Sequence, residues 1–451
     1  MKLNSYLLKA SIVGALGGLL FGFDTAVIAG TTNSLQQIFD LTPWTLGITV
    51  SIALWGTVVG ALSAGVIGQR LGGRNALRIM AVLYIVSSLG CAIAWNWPAL
   101  VVFRFIGGLG IGGSSVLAPV YIAELAPASL RGRLVGMFQI NVVLGILLAY
   151  FSNYCIARLG LGALEWRWQL GVAAAPALLF FVMLFGIPQS PRWLATQHRI
   201  EESGRVLQLL GSSNYQAELT EIVNSIHVEN AQGSEPLFSR KYRFPIFLAL
   251  AVGIFNQLAG INAILYYLPS IFMAAGFSKI SGDLQSVAIG AMNLFATLLF
   301  MSVIDKLGRK TLLLIGSAGT ALCLSGVAFI FFTHRNQGWL VWILVGYIFF
   351  FAPLGAVIWV YLGEVFPNTV RSKGQSLGCS AHWIMNALIS ALFPVAAKVS
   401  GAYPFVFFAA MMVAQFFVVA LFFPETKGFT LEEMQYRLGI DQNPSSRLMN
   451  S

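Results

Sequence analysis

Glu124-Leu-Ala-Pro-Ala-Ser-Leu-Arg131 returns 240 residues later as Glu364-Val-Phe-Pro-Asn-Thr-Val-Arg371, with Glu, Pro and Arg in the same relative positions. A second pair has nearly the same offset: Gln69-Arg-Leu-Gly-Gly-Arg74 and, 236 residues on, Asp305-Lys-Leu-Gly-Arg-Lys310. Each of the four segments follows a long apolar run. Two such coincidences at nearly one spacing point to a duplication, so the chain reads as two equivalent halves in parallel repeat.

Composition says what each half is made of. Of the 451 residues, 57% are hydrophobic and only 10% are charged, against about 25% charged in soluble domains. A membrane span needs about 20 mostly apolar residues. Twelve such runs are present: 8–30, 45–68, 76–95, 99–123, 133–157, 168–188, 244–272, 284–304, 311–332, 339–362, 374–397 and 403–423. The expected architecture is an all-α membrane protein, twelve transmembrane helices in two six-helix halves. The halves are 1–188 and 244–424, joined by a cytoplasmic linker (189–243) and followed by a tail (425–451). Within the linker, Ile200–Leu210 and Gln216–Ile226 read as short amphipathic helices. The start MKLNSYLLK lacks a small-residue cleavage site before its long apolar run, so it reads as a first span rather than a removed signal.

Charge orients the spans. Of the 27 Lys and Arg residues, 21 fall on one side of this topology, five on the other, and Arg104 lies inside a span. Positive residues stay cytoplasmic, which puts both termini on the cytoplasmic side of a cell membrane. The net charge of +10 is this bias, and no nucleic-acid partner is needed to explain it. Cys91, Cys155, Cys323 and Cys379 lie in or at the ends of spans without metal-ligand spacing. Gly14, Gly18 and Gly22 are spaced by four, as are Gly56, Gly60, Ala64 and Gly68, and Gly108 and Gly112. Small residues at that spacing let membrane helices approach closely.

Asp24 stands out within Leu16–Gly30 (LGGLLFGFDTAVIAG). A carboxylate at mid-membrane costs about 2.5–3.5 kcal/mol on insertion scales, and such residues mark ion or substrate pathways. Asp24 therefore points to proton movement; the competing reading is a paired structural Asp.

Several motifs together resemble the sugar porter family of the major facilitator superfamily. They are Gly22-Phe-Asp-Thr-Ala-Val-Ile28, Arg104-Phe-Ile-Gly-Gly108, Pro119–Arg133 (PVYIAELAPASLRGR), Pro188-Gln-Ser-Pro-Arg-Trp-Leu194, Asn256–Tyr267 (NQLAGINAILYY), Asp305–Lys310, Gly363–Arg371 and Pro424-Glu-Thr-Lys-Gly428. The resemblance implies proton-coupled transport of a monosaccharide. It places Arg104 beside Asp24 as a coupling pair, and it implies sugar contacts at Gln139, Asn256, Gln257, Asn262, Asn293, Trp359, His382 and Trp383. Tyr266 and Tyr267 match a tyrosine pair near an extracellular gate. Two positions depart from the family pattern. Asn256 stands where Gln is usual, and His382 where many members carry Asn or Gln before Trp.

The chemistry suits these roles independently. Asn and Gln both donate and accept, as sugar hydroxyls do. Trp offers a flat apolar face with a donor at its edge. Glu124 and Glu364 end spans at the cytoplasmic surface, where Arg70, Arg74, Arg131, Asp305, Arg309, Lys310 and Arg371 complete a charge latch expected to open and close with the cavity. Parallel-repeat transporters bind near the bilayer midplane and rock their halves about that site. No nucleotide loop, metal cluster or nucleophile–base motif suggests an enzyme, and no cofactor is called for. A sugar sensor of this fold would be expected to carry a signalling extension, whereas the tail 425–451 has only 27 residues. The working expectation is a monomer whose partners are the sugar, protons and the lipid bilayer.

Overall fold

The computed structural model describes residues 4–212, 214–231, 236–367, 369–429 and 431–440. Among the described residues, twelve helices are long and apolar enough to cross a membrane. The first six are Ser5–Ile38, Pro43–Leu71, Gly73–Ala92, Trp97–Leu125, Leu130–Arg158 and Gly162–Gly186. The other six are Arg240–Ala274, Lys279–Ile304, Arg309–Thr333, Gln337–Glu364, Arg371–Val399 and Tyr403–Phe422. They are called the first to twelfth spans below. No strand occurs among the described residues. Polar residues just outside the apolar runs start the helices. Asn4, Thr42, Asn96 and Ser278 each accept a backbone N–H from the first turn of the span that follows, which satisfies a donor that has no intrahelical partner.

The chain forms two compact units, Met1–Gly233 and Ser234–Ser451. The linker helices Pro191–Thr196, Ile200–Leu209 and Tyr215–Ala231 belong to the first. In the first unit the first span packs on the fifth, the second on the fourth, and the third on the fourth and sixth. In the second unit the seventh packs on the eleventh, the eighth on the tenth, and the ninth on the tenth and twelfth. Shifted by six spans, the two sets of pairings are the same.

Close approach depends on the glycines. A Cβ on Gly22 would lie 1.8 Å from the Val142 carbonyl oxygen, and one on Gly145 would lie 2.1 Å from that of Leu19. The first and fifth spans therefore touch backbone to backbone. A Cβ on Gly56 would lie 2.4 Å from the Phe105 carbonyl oxygen, and one on Gly60 would lie 2.3 Å from that of Leu109. The four-residue spacing thus acts on both sides of the contact between the second and fourth spans. Large apolar side chains elsewhere point outward, among them Leu62, Leu322 and Leu421, as a lipid-solvated surface requires.

Each unit by itself also contains a hydrogen-bonded turn that the apolar pattern does not announce. Gly72 (φ 77°) and Gly308 (φ 89°) link the second to the third and the eighth to the ninth spans. Gln189 Oε1 accepts the backbone N–H of Arg74, and Glu425 accepts those of Arg309 and Lys310. Each side chain thereby caps the helix that starts there. The Tyr121 hydroxyl donates to the Pro188 carbonyl, and the Tyr361 hydroxyl to that of Pro424. Pro188-Gln-Ser and Pro424-Glu-Thr are thus a third repeated pair, 236 residues apart.

The seventh span is broken. Arg243–Leu258 and Ile261–Ala274 are separate helices, parted at Ala259-Gly260, with Gly260 left-handed at φ 80°. Phe408 packs where a Cβ of Gly260 would be. A break inside a membrane frees carbonyls that need partners. The Tyr347 hydroxyl donates to one of them, that of Ala259, at 2.9 Å.

Candidate functional site

In the first unit, Asp24 and Arg104 come together. Arg104 Nη1 lies 3.4 Å from Asp24 Oδ1, and the two side chains are 4% and 17% exposed. Both come from the middle of apolar spans. Arg104 Nε is buried with no hydrogen-bond partner among the described residues, so the guanidinium is not fully committed to this one carboxylate. Gln139, on the fifth span, is half-buried.

In the second unit, the break at Gly260 puts three amides next to an imidazole. Asn262 Nδ2 donates to Gln257 Oε1 at 3.0 Å. Gln257 Nε2 donates to Asn256 Oδ1 at 3.2 Å and lies 3.1 Å from His382 Nε2 and 3.3 Å from its Nδ1. Asn256 Nδ2 reaches the Leu354 carbonyl of the tenth span at 3.4 Å. Asn256, Gln257 and His382 are all buried, and Asn293 is 9% exposed. Rings surround His382. Trp359 lies 5.3 Å away at 57°, and Trp383 lies 5.2 Å away at 86°, centroid to centroid. Trp359 is 40% exposed. The cluster offers apolar ring faces and neutral donors and acceptors, with no charge.

Tyr266 and Tyr267 lie on the second half of the broken span, buried. The Tyr267 hydroxyl donates to the Ser390 carbonyl at 3.0 Å, and its ring stacks on Phe393. Asn386 Nδ2 donates to the Tyr266 hydroxyl, and Ser390 Oγ donates to Asn386 Oδ1. The eleventh span therefore grips this half-helix below the break. Asn386 and Ser390 were not singled out in the sequence.

The latch residues divide. Arg309 Nη2 meets Glu364 Oε1 at 2.8 Å, and Thr426 Oγ1 donates to the other oxygen of that carboxylate at 2.6 Å. Lys310 Nζ donates to the Ala420 carbonyl. Glu124 is held by Ser190 and faces Arg192. Arg74 donates to the Ile187 carbonyl, Arg131 to that of Ala123 and Arg371 to that of Phe366. Arg70 is exposed, and the side chain of Asp305 lies outside the described residues. These bonds are all within one unit or the other. Gln189, Ser190, Glu425 and Thr426 lie in the quoted motifs beginning at Pro188 and Pro424, to which the sequence reading assigned no part in the latch; the Pro-Gln-Ser and Pro-Glu-Thr recurrence was the available signal.

Residues 10–438 match the family model described as "Sugar (and other) transporter". The D-xylose-proton symporter of Escherichia coli (strain K12) is 35% identical, the alignment covering 96% of each chain. The arabinose-proton symporter of Bacillus subtilis is 33% identical over 95% of this chain and 94% of its own. The glucose transport protein of Synechocystis is 35% identical over 95% and 97%. Among solved structures, the inward-open xylose transporter XylE from E. coli superposes with a TM-score of 0.86. That match is 34% identical and covers 96% of this chain and all of that one. Twelve spans, a repeated hydrogen-bonded turn and a family match over nearly the whole length agree: this multi-pass membrane protein belongs to the sugar porter family of the major facilitator superfamily.

Proposed function

We propose that this protein is a proton-coupled monosaccharide symporter, with a hexose as its sugar, working by alternating access. The Asp24–Arg104 pair carries the reading. Desolvation raises a carboxylate's affinity for a proton, and a nearby cation lowers it. Changing the separation of the two groups during the transport cycle would let Asp24 load a proton on one side and release it on the other. The names of the xylose and arabinose relatives support coupling, and the uncharged cluster around His382 and Trp359 supports a neutral polyhydroxylated substrate. In this reading Gln139, Asn256, Gln257, Asn262, Asn293, Trp359, His382 and Trp383 serve the sugar, and Tyr266 and Tyr267 serve the gate. Arg70, Arg74, Glu124, Arg131, Asp305, Arg309, Lys310, Glu364 and Arg371 serve the latch. The protein works as a monomer in the cell membrane with both termini cytoplasmic.

One observation favours a second reading. A carboxylate already neutralised by a buried guanidinium is also what a permanent structural pair looks like, which would make the protein a facilitative uniporter. Proteoliposomes containing only this protein decide the matter. An imposed inward proton gradient should drive accumulation of labelled sugar, and sugar uptake should acidify the lumen. Uptake without either effect would leave the uniporter, and no uptake with intact binding would leave a sensor. A competition panel of hexoses, pentoses and polyols then identifies the sugar.

A further inference from the structure

Three cations gather on one turn at the end of the sixth span. Leu184–Gly186 is a short 3₁₀ turn that leads into Ile187. Arg78 Nη2 donates to the Leu184 carbonyl at 3.2 Å, and its guanidinium lies 4.1 Å from the centre of the Phe185 ring. Lys9 Nζ, from the first span, lies 3.1 Å from where a Cβ of Gly186 would be. Arg74 Nη1 donates to the Ile187 carbonyl at 3.2 Å, and its charge faces Arg78. None of the three has an ion pair among the described residues. The Nε groups of Arg74 and Arg78 are buried without a hydrogen-bond partner there. Glu124, the carboxylate that faces Tyr121 along with both arginines, is held by Ser190 and faces Arg192.

The second unit, with the same pairing of spans, lacks this charge. At an offset of 236 residues, Leu314 stands for Arg78, Phe422 for Gly186 and Glu425 for Gln189. The fold therefore does not need three cations at this turn, and the first unit has one carboxylate fewer to balance them. Beside the turn, Leu8 and Ile12 of the first span and Val182 and Phe185 of the sixth are exposed. The cations thus sit at the edge of an apolar surface that lipid covers. We propose that this turn is the headgroup site of one anionic phospholipid, in the leaflet on the linker side of the membrane. Its phosphate lies between Lys9 and Arg78, Arg74 adds charge from the far side of the turn, and its acyl chains run along the first and sixth spans. A guanidinium with an unmade N–H is suited to a phosphate oxygen, and basic pockets between membrane helices take anionic headgroups. A free phosphate ion would meet the same cations but would leave the apolar surface unused.

Native mass spectrometry and thermal unfolding of the purified full-length protein, delipidated in neutral detergent, test the assignment. One phosphatidylglycerol should bind ahead of phosphatidylcholine with the same acyl chains, and it should raise the melting temperature saturably. Lys9→Gln and Arg78→Gln should each weaken phosphatidylglycerol binding about fivefold and leave phosphatidylcholine binding unchanged, whereas Arg78→Lys should keep most of the preference. Lys9 is exposed, so Lys9→Gln carries the test even where an Arg78 variant fails to fold. Gln189→Glu, which copies Glu425, should shrink the response to phosphatidylglycerol by supplying a counter-charge from inside. Equal binding of the two lipids, or an undiminished preference in Lys9→Gln, overturns the site. Inorganic phosphate that reproduces the full thermal shift would make this a free-anion site and overturn the lipid.

Discussion

At Asp24 one carboxylate oxygen lies 3.4 Å from Arg104 Nη1. Replacing it by Asn preserves shape and an acceptor for the guanidinium but removes the titratable group. Asp24→Asn is therefore expected to fold, to bind sugar and to exchange labelled for unlabelled sugar, while gradient-driven accumulation is lost. Counterflow and uphill uptake in one proteoliposome preparation separate these outcomes, and full accumulation would make Asp24 structural. Removing Arg104 is a different experiment. A buried ion pair stripped of one partner typically costs about 3–5 kcal/mol, so Arg104→Leu and Asp24→Asn should both lower thermal stability, the second because it leaves the buried Arg104 cation without a counter-charge. Asp24 was legible from the sequence because a lone charge in an apolar run is conspicuous. That Gln257 is braced by its neighbours was not, because spacing shows which amides share a helix and says nothing about which of their valences are consumed.

Within single elements, the broken seventh span makes the sharpest demand on sequence. Gly260 sits at φ 80° with Phe408 against it. A left-handed conformation alone costs a non-glycine residue about 1–2 kcal/mol, and the clash adds to that. Gly260→Ala should lower the melting temperature and disturb sugar binding, since the break orients Asn262 toward Gln257; unchanged binding and stability would show that the turn relaxes freely. The cap of the ninth span offers a milder test. Glu425→Ala removes the acceptor for two backbone N–H groups, and lost caps cost about 0.5–2 kcal/mol. Glu425→Gln, which copies the first unit's Gln189, should recover most of that. In the linker, Glu202 shows the sign of a surface pair. Its hydrogen bond to Arg199 holds its carboxyl below the usual carboxylate range. That contribution is present at neutral pH and is lost as pH falls through the lowered value. Both side chains are half exposed, so Glu202→Gln should barely change melting at pH 7. Hydropathy located all twelve spans, because each must be apolar along its length. It passed over the break at Gly260, because a glycine leaves the apolar average unchanged. The repeated Glu124 and Glu364 motifs exposed the duplication, but the Pro188 and Pro424 caps had too few identical residues to be noticed without their shared contacts.

Across the whole molecule, the proposed coupling has a stoichiometry that the spans themselves suggest. Glu124, Glu165, Asp283 and Glu364 lie in the first or last turns of their spans, leaving Asp24 as the carboxylate at mid-span among the described residues. One such group implies one proton per sugar. Because the sugar is neutral, each cycle then carries one positive charge inward. A pH difference of one unit supplies about 1.4 kcal/mol, which supports about tenfold accumulation of sugar. An inside-negative potential adds about 2.3 kcal/mol per 100 mV for that charge, or about fiftyfold more. Proteoliposomes clamped with ionophores should therefore show accumulation that rises about tenfold per pH unit at zero potential and rises further when the lumen is made negative. A dependence of about a hundredfold per pH unit would require a second proton and a second carboxylate. Accumulation insensitive to potential would mean that a compensating charge crosses with the proton. If accumulation responds to neither gradient, Asp24 and Arg104 form a permanent pair and the protein equilibrates sugar without concentrating it.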